Sequence, residues 1–382
     1  MKTLVIILGE TRAHELTFEN IKQNLIDVLQ ADVAVCIGIS DSYDYTNPFY
    51  KIAKYRFTHN EPDDYGSSFD TAESLLLKNN TKKYEELKNV NTLHGKIIGP
   101  GQSSDNIKYI GNFNDISEFD LENSEFEEII YHDSMFPDEK WRNHLYGVIR
   151  SDNNNYTEQH HVHTYKKPIH WRKFLSITWQ IMGGVKDPQH QQPGSAGILL
   201  FYRWLLHKNL IEHDLVDKYD RFIITRSDYM YLSPHPKMEI LDPDNIWIPF
   251  GEGYGGYTDR HTVLTKDTVL EYLDIFNCFV LRSNEYYLKL LSLRDYWYNL
   301  EKLIKFHLEL KGLTNRVKYF PYIMYSVRNI NGSTRWEQGK YSDELGYFIK
   351  YPAEHKSSIH YSKLIQEKID EVYKNECKLL NG

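Results

Sequence analysis

With 382 residues, 41% of them apolar and 26% charged, the chain has a globular composition and is long enough for one large α/β domain with insertions or for two ordinary domains. A net charge of −8 argues against nucleic acid as the main partner, because gripping a phosphate backbone takes a basic face. Three cysteines (Cys36, Cys278, Cys377) without a CxxC pair supply neither a disulfide framework nor a zinc knuckle, and no apolar run approaches the ~20 residues of a membrane span, so a cytoplasmic protein is expected.

Thr3–Leu8 is a continuous β-branched and leucine run, the pattern of a parallel strand buried on both faces. Thr17–Leu29 repeats apolar residues at helical spacing behind a capping threonine, and Asp32–Gly38 is a second buried strand. This β-α-β order predicts a right-handed parallel unit. Residues 39–125 read as loops and short helices at the sheet edge, with a strand near 127–132; this stretch and 135–194 are expected insertions. Ser151–Gln159 is polar and reads as a mobile loop. Helices are expected over Trp171–Met182 and Ala196–Leu206, then strands at Arg221–Leu232 and Asn245–Pro249. A glycine-rich loop, helices near 266–276 and 284–312, a strand at Lys318–Val327 and a C-terminal extension over 335–382 complete the chain. The expectation is a single α/β domain whose mixed, mostly parallel Rossmann-like sheet is flanked by helices.

Three constellations carry candidate chemistry. Arg226-Ser227-Asp228 falls at the end of a predicted strand, where α/β sheets present their ligand sites; the carboxylate suits Mn²⁺ or Mg²⁺, and Arg226 suits a phosphate. Leu8-Gly9-Glu10-Thr11-Arg12 lies where the first strand runs out, with a glycine for close backbone approach and an arginine for base, ribose or phosphate. Gly253–His261 holds Gly255, Gly256, Asp259, Arg260 and His261, with Asp259 a candidate general base and His261, beside His355 and His360, a candidate second metal ligand. Glu158–His163 clusters three histidines but lacks a fourth zinc ligand at recognised spacing and reads as a solvated loop. There is no GxSxG, GxxxxGK[ST] or HExxH, and no GxGxxG follows the first strand.

Taken in order, a strand running into G-x-x-R and TFENIKQNL, the helix GILLFYRWLL before FIITRSDYMYL, the segment GGYTDRHTVLTKDTVLEYL, and NLEKLIKFHLELKGL before a strand ending in SVR resemble the GT-A-like glycosyltransferases of large DNA viruses, bacteria and plants. The likeness covers about half the chain, mostly 1–38 and 195–330, with RSD in place of the family's Asp-x-Asp. It implies a GT-A-type fold and a nucleotide-sugar donor, UDP foremost, with a glycan or protein-linked acceptor; for a viral chain the setting is the host cytoplasm. Gly9 and Arg12 would line the nucleotide pocket together with Leu8, Glu10, Thr11, Arg226, Ser227, Gly255, Gly256 and Arg260. Asp228 would hold Mn²⁺ or Mg²⁺ on the diphosphate, and Asp259 would lie near the transferred sugar; His261 stays the residue-level candidate for the second metal ligand. As a base on the acceptor hydroxyl, Asp259 would give inversion; a retaining reaction would need it in another role. A sugar nucleotidyltransferase and a non-catalytic carbohydrate-binding protein are the competing readings.

Overall fold

The computed structural model describes residues 1–87, 129–132, 156–157, 162–165, 171–177, 180–186, 194–281, 283, 286, 298–332, 337–365 and 369–381. The chain divides into two compact units, one of residues 1–63, 193–275 and 299–382, the other of 64–192 and 276–298.

The first unit opens with parallel strands β1 (Thr3–Gly9), β2 (Asp32–Ile39) and β3 (Tyr55–Asn60). In the second unit β4 (Ile129–His132), β5 (Tyr156–Thr157) and β6 (Val162–Tyr165) form a small antiparallel sheet. That unit also holds a long helix, Tyr65–Leu87, whose Phe69 packs on Trp171 and Phe276. Asp64 binds the amides of Gly66 and Lys186 there. The loop expected over Ser151–Gln159 and most of the three-histidine segment lie outside the described residues, although Tyr156–Thr157 is strand β5 and His163 lies in β6.

The chain then returns to the first unit with β7 (Arg221–Thr225), β8 (Tyr229–Tyr231), β9 (Ile246–Pro249), β10 (Thr262–Thr265), β11 (Val317–Phe320), β12 (Met324–Arg328), β13 (Lys340–Ser342) and β14 (Tyr347–Ile349). Seven strands form the main sheet in the order β11-β9-β10-β7-β1-β2-β3. β10 runs antiparallel to both neighbours and the other pairings are parallel. Counted along the chain, the order from the far edge is 3-2-1-4-6-5-7, so the winding reverses between β1 and β7. β1 is buried along its whole length because helices cover both faces of the sheet. Each buried Leu, Ile or Val there contributes roughly 1.5–3 kcal/mol. The helix Ala196–Glu212 is buried nearly all round, and a stretch such as ILLFYRWLL has no polar stripe to turn to water.

Several sequence-level boundaries shift for local reasons. The first helix starts at His14, earlier than the threonine cap predicts, because Ala13 adopts φ 55° and turns the chain into it. Thr17, expected to cap, is buried inside the helix and donates to the carbonyls of Ala13 and Ser227. The strand expected over Arg221–Leu232 breaks at Arg226-Ser227-Asp228 into β7 and β8, which join different sheets: β8 belongs to a four-stranded sheet ordered β13-β14-β12-β8. Lys318–Val327 likewise divides into β11 and β12 around Pro321. β3 and the Tyr65–Leu87 helix lie where loops and short helices were expected. The segment 335–382 contributes β13, β14 and the helices Pro352–Ile365 and Ile369–Asn381, with Ile365 and Cys377 in the core of the first unit.

Candidate functional site

The loops after β1 and β7 lie at the carboxyl ends of adjacent parallel strands, where the winding reverses, which is where open α/β sheets form their ligand crevice. Gly9 ends β1 at φ +97°, a conformation costly for any residue with a Cβ, and so releases the chain into Glu10–Ala13. Ser227 laces the two loops together. Its buried hydroxyl lies 2.9 Å from both the Glu10 and the Arg12 carbonyl oxygen. Thr11, 3.0 Å from the Tyr43 hydroxyl, fixes the other side of the turn.

Around this seam stand four basic side chains. Arg226 grips both carboxylate oxygens of Asp228, Nε to Oδ1 at 2.9 Å and Nη2 to Oδ2 at 2.7 Å. Arg328, from the end of β12, donates through Nη1 to the same Oδ2 and to the Val327 carbonyl. β12 is held against this linker by the Val327 amide, which donates to the Asp228 carbonyl. Arg12, paired with Glu10 at 2.5 Å, adds its field to both Asp228 and Lys350. Lys350 follows β14; burial, with Arg226 and Arg328 reinforcing, pushes its ammonium down to about 6. Asp228 is only 1% exposed. Burial alone would raise its pKa, but Arg226, Arg328 and Arg12 together hold it well below the usual carboxylate range.

The second cluster surrounds Arg260, which is buried between Glu354 at 2.7 Å and Glu252 at 3.1 Å. Glu354 also takes the Tyr322 hydroxyl and the Ser326 amide, tying the Pro352–Ile365 helix to β12. Asp259 Oδ1 lies 3.7 Å from Arg260 Nε, and its own carbonyl accepts from Arg203. Tyr351 joins the two clusters: Arg260 lies 4.0 Å and Lys350 5.0 Å from its ring centre.

Asp228 and His261 do not make a metal centre. Both Asp228 oxygens are occupied by guanidiniums. A divalent ion beside them would meet each unit positive charge at a cost of roughly 7 kcal/mol at ~5 Å and an effective dielectric of ~20. His261 is fully buried elsewhere, its Nδ1 3.0 Å from Thr225 and its Nε2 3.2 Å from His235. Burial and the neighbouring ring push His261 well below its ordinary value, and burial pushes His235 down to about 4. Among the described residues no group of three or more His, Cys, Asp or Glu is placed to hold a metal ion. The donor set therefore does not fit Mn²⁺ or Mg²⁺.

The remaining predicted residues separate by role. Leu8 is buried within β1 in the sheet interior. Gly256 is set by packing, since a side chain there would run into the Glu301 backbone; Gly255 sits against Lys302 in the same turn. Asn299 secures that turn by capping the Leu300–Leu310 helix through Lys302 N and donating to the Tyr254 carbonyl. Arg260 is consumed by its buried carboxylates and is not a free phosphate ligand. His355 packs on the Tyr325 ring in the Pro352–Ile365 helix, which also carries His360. Sequence reasoning missed Arg328, Lys350, Tyr351, Glu354 and Glu301 as site residues; the strand ending in SVR, which holds Arg328, and the segment NLEKLIKFHLELKGL, which holds Glu301, were the signals pointing to any of them.

Glu301 is a further buried acid behind Asp259. Burial first and the Asp259 charge second push its carboxyl up to about 8, with Arg260 opposing. Between its ordinary value of 4.5 and about 8 the unfolded chain ionises at Glu301 while the folded one keeps the proton. Stability from this group is therefore full below 4.5 and falls as pH rises through that window, by up to ~1.4 kcal/mol per unit. Glu301→Gln should flatten the decline and stabilise the protein at pH 8 by about 2–4 kcal/mol. Urea unfolding at pH 5 and pH 8 checks it; equal pH dependence in both proteins would exclude a buried protonated Glu301.

A cavity of about 540 Å³ lies at the opposite, amino ends of the strands, lined by Lys2, Asp32, Lys54 and Tyr219 among others. There Asp32 is bound by Lys54 and Tyr219.

No protein-family model matches this chain, and neither does any curated protein or solved structure. No helix among the described residues is long and apolar enough to cross a membrane.

Proposed function

We propose that the protein is a glycosyltransferase of GT-A type, moving a sugar from a nucleotide-diphosphate donor, UDP foremost, to a hydroxyl of a glycan or protein-linked acceptor. The observation that carries this reading is the basic cluster of Arg12, Arg226, Arg328 and Lys350 beside the loops after β1 and β7, built around one fully engaged carboxylate. Such a site suits an anion with several oxygens and planar, forked donors to match them. As the bond to the sugar breaks, negative charge grows on the departing nucleoside diphosphate, and fixed cations there stabilise that change without reorganising. Across Tyr351, Asp259 is the carboxylate available to take the acceptor's proton. The mixed, mostly parallel sheet agrees with the fold that the sequence resemblance implies.

Thermal unfolding with UDP, GDP, dTDP and their sugars tests the reading. One nucleoside diphosphate should raise the apparent stability, by about 2.7 kcal/mol at a hundred times its Kd. Its sugar conjugate should release that nucleotide when an acceptor is supplied. Release of pyrophosphate from a nucleoside triphosphate and a sugar phosphate would identify a nucleotidyltransferase instead. Stabilisation by glycans with no response to any nucleotide would identify a carbohydrate-binding protein.

A further inference from the structure

We propose that this site neutralises its diphosphate without a divalent cation, the buried guanidinium of Arg328 together with Arg226, Arg12 and Lys350 supplying the positive charge. The inference rests on the transferase reading for the identity of the ligand and on the geometry for the way its charge is met.

Three independent features support it. First, Nε and Nη2 of Arg328 are buried and have no hydrogen-bond partner among the described residues, although Arg328 is only 1% exposed. A guanidinium carries five N–H donors, and burying the three on Nε and Nη2 unmet is unfavourable unless an acceptor arrives. Nη1 fixes the group's plane through Asp228 and the Val327 carbonyl, so the unmatched edge is held in one orientation. Second, Asp228 is spent as a counter-ion: Arg226 chelates it from one side and Arg328 from the other. The carboxylate expected to hold a metal instead positions two arginines, which inverts the logic of an acidic metal motif. Third, Lys350 is only 7% exposed and contacts the Tyr351 ring, and no carboxylate pairs with it among the described residues. An anion entering beside it favours the protonated form and so draws the ammonium back.

The groups facing Lys350 are Arg226, Arg328, Arg12 and Asp228, with Tyr351 adjacent. With Asp228 ionised and Glu10 paired to Arg12, the three arginines still leave an excess of positive charge, to which a bound diphosphate adds protonation of Lys350; that excess favours an anion over a divalent cation. Each phosphate oxygen then accepts from a fixed guanidinium, and the leaving group is stabilised by hydrogen bonds and charge without any change in the protein's ligation.

Calorimetric titration of the full chain with inorganic pyrophosphate and with UDP, in EDTA and then in Mn²⁺, decides the matter. The expected result is binding of both in EDTA, with affinity changed less than about threefold by Mn²⁺. Because Lys350 and Arg12 leave the Asp228–Arg226–Arg328 pairing intact, Lys350→Met and Arg12→Met should fold as the parent does. Each should weaken binding about tenfold or more, the value of one charge-assisted contact. Binding that appears only with Mn²⁺ overturns the inference and leaves the transferase reading standing. Binding in EDTA that neither substitution weakens overturns the assignment to this cluster. Failure of both ligands under both conditions removes the donor site itself, and the transferase reading with it.

Discussion

Asp228→Asn is expected to lower the unfolding free energy by about 3–5 kcal/mol, the cost of leaving buried charges without their partner. The carboxylate is 1% exposed and faces two guanidiniums at hydrogen-bonding distance, one of them on an arginine itself only 1% exposed. An amide of the same shape accepts from one side, offers hydrogens to the other, and leaves Arg226 and Arg328 repelling each other across it. Ionised Asp228 contributes its stability above the ordinary carboxylate range, and that contribution is lost only as pH falls toward its depressed folded value. The gap between parent and variant should therefore stay constant from pH 6 to pH 8. Denaturant titrations at both pH values measure it. A variant within about 1 kcal/mol of the parent would show that the arginines do not depend on this carboxylate. Lost activity in this variant would by itself say nothing about a metal, because the loop joining β7 to β8 is organised by the same charge.

The sheet was legible because burial on both faces leaves an unbroken apolar signature: TLVIIL, DVAVCIG and RFIIT are strands in the structure. β3 escaped because YRFTHN lies at the edge and alternates, with Phe57 well buried among half-exposed and exposed neighbours. The loops after β1 and β7 were legible as a site from their position at strand ends. The nature of that site was not, since Asp228 reads as a metal ligand until Arg328 is known to lie against it, a hundred residues later in the chain. Lys350, Tyr351 and Glu354 arrive from a segment with no strong periodic pattern. They reach the site through the pairing of β14 with β12 and the anchoring of Glu354 to Ser326 and Arg260. Gly255 and Gly256 show the reverse error: a glycine-rich loop suggests room for a ligand, whereas here the space is filled by Glu301 and Lys302.

Under the transferase reading, Asp259→Asn should lower kcat by about 10²–10⁴-fold, the usual contribution of a positioned general base, with the fold intact. The separation of these two effects follows from the local charges. Arg260 keeps Glu354 at 2.7 Å and Glu252 at 3.1 Å when the more distant Asp259, at 3.7 Å, loses its charge. The backbone is independently fixed by Arg203 donating to the Asp259 carbonyl and by the Tyr257 amide donating to Glu301. A neutral isostere should also remove the Asp259 contribution to the raised Glu301 pKa, so less stability is lost in keeping Glu301 protonated and the unfolding midpoint should hold or rise. Steady-state rates at saturating donor and acceptor, measured beside thermal unfolding, supply both readouts. A variant within fivefold of the parent kcat would remove Asp259 from the chemistry. A large fall in kcat with unchanged donor KM would place its carboxylate at the acceptor hydroxyl and not at the diphosphate, because binding of the donor would then depend on the cations across Tyr351.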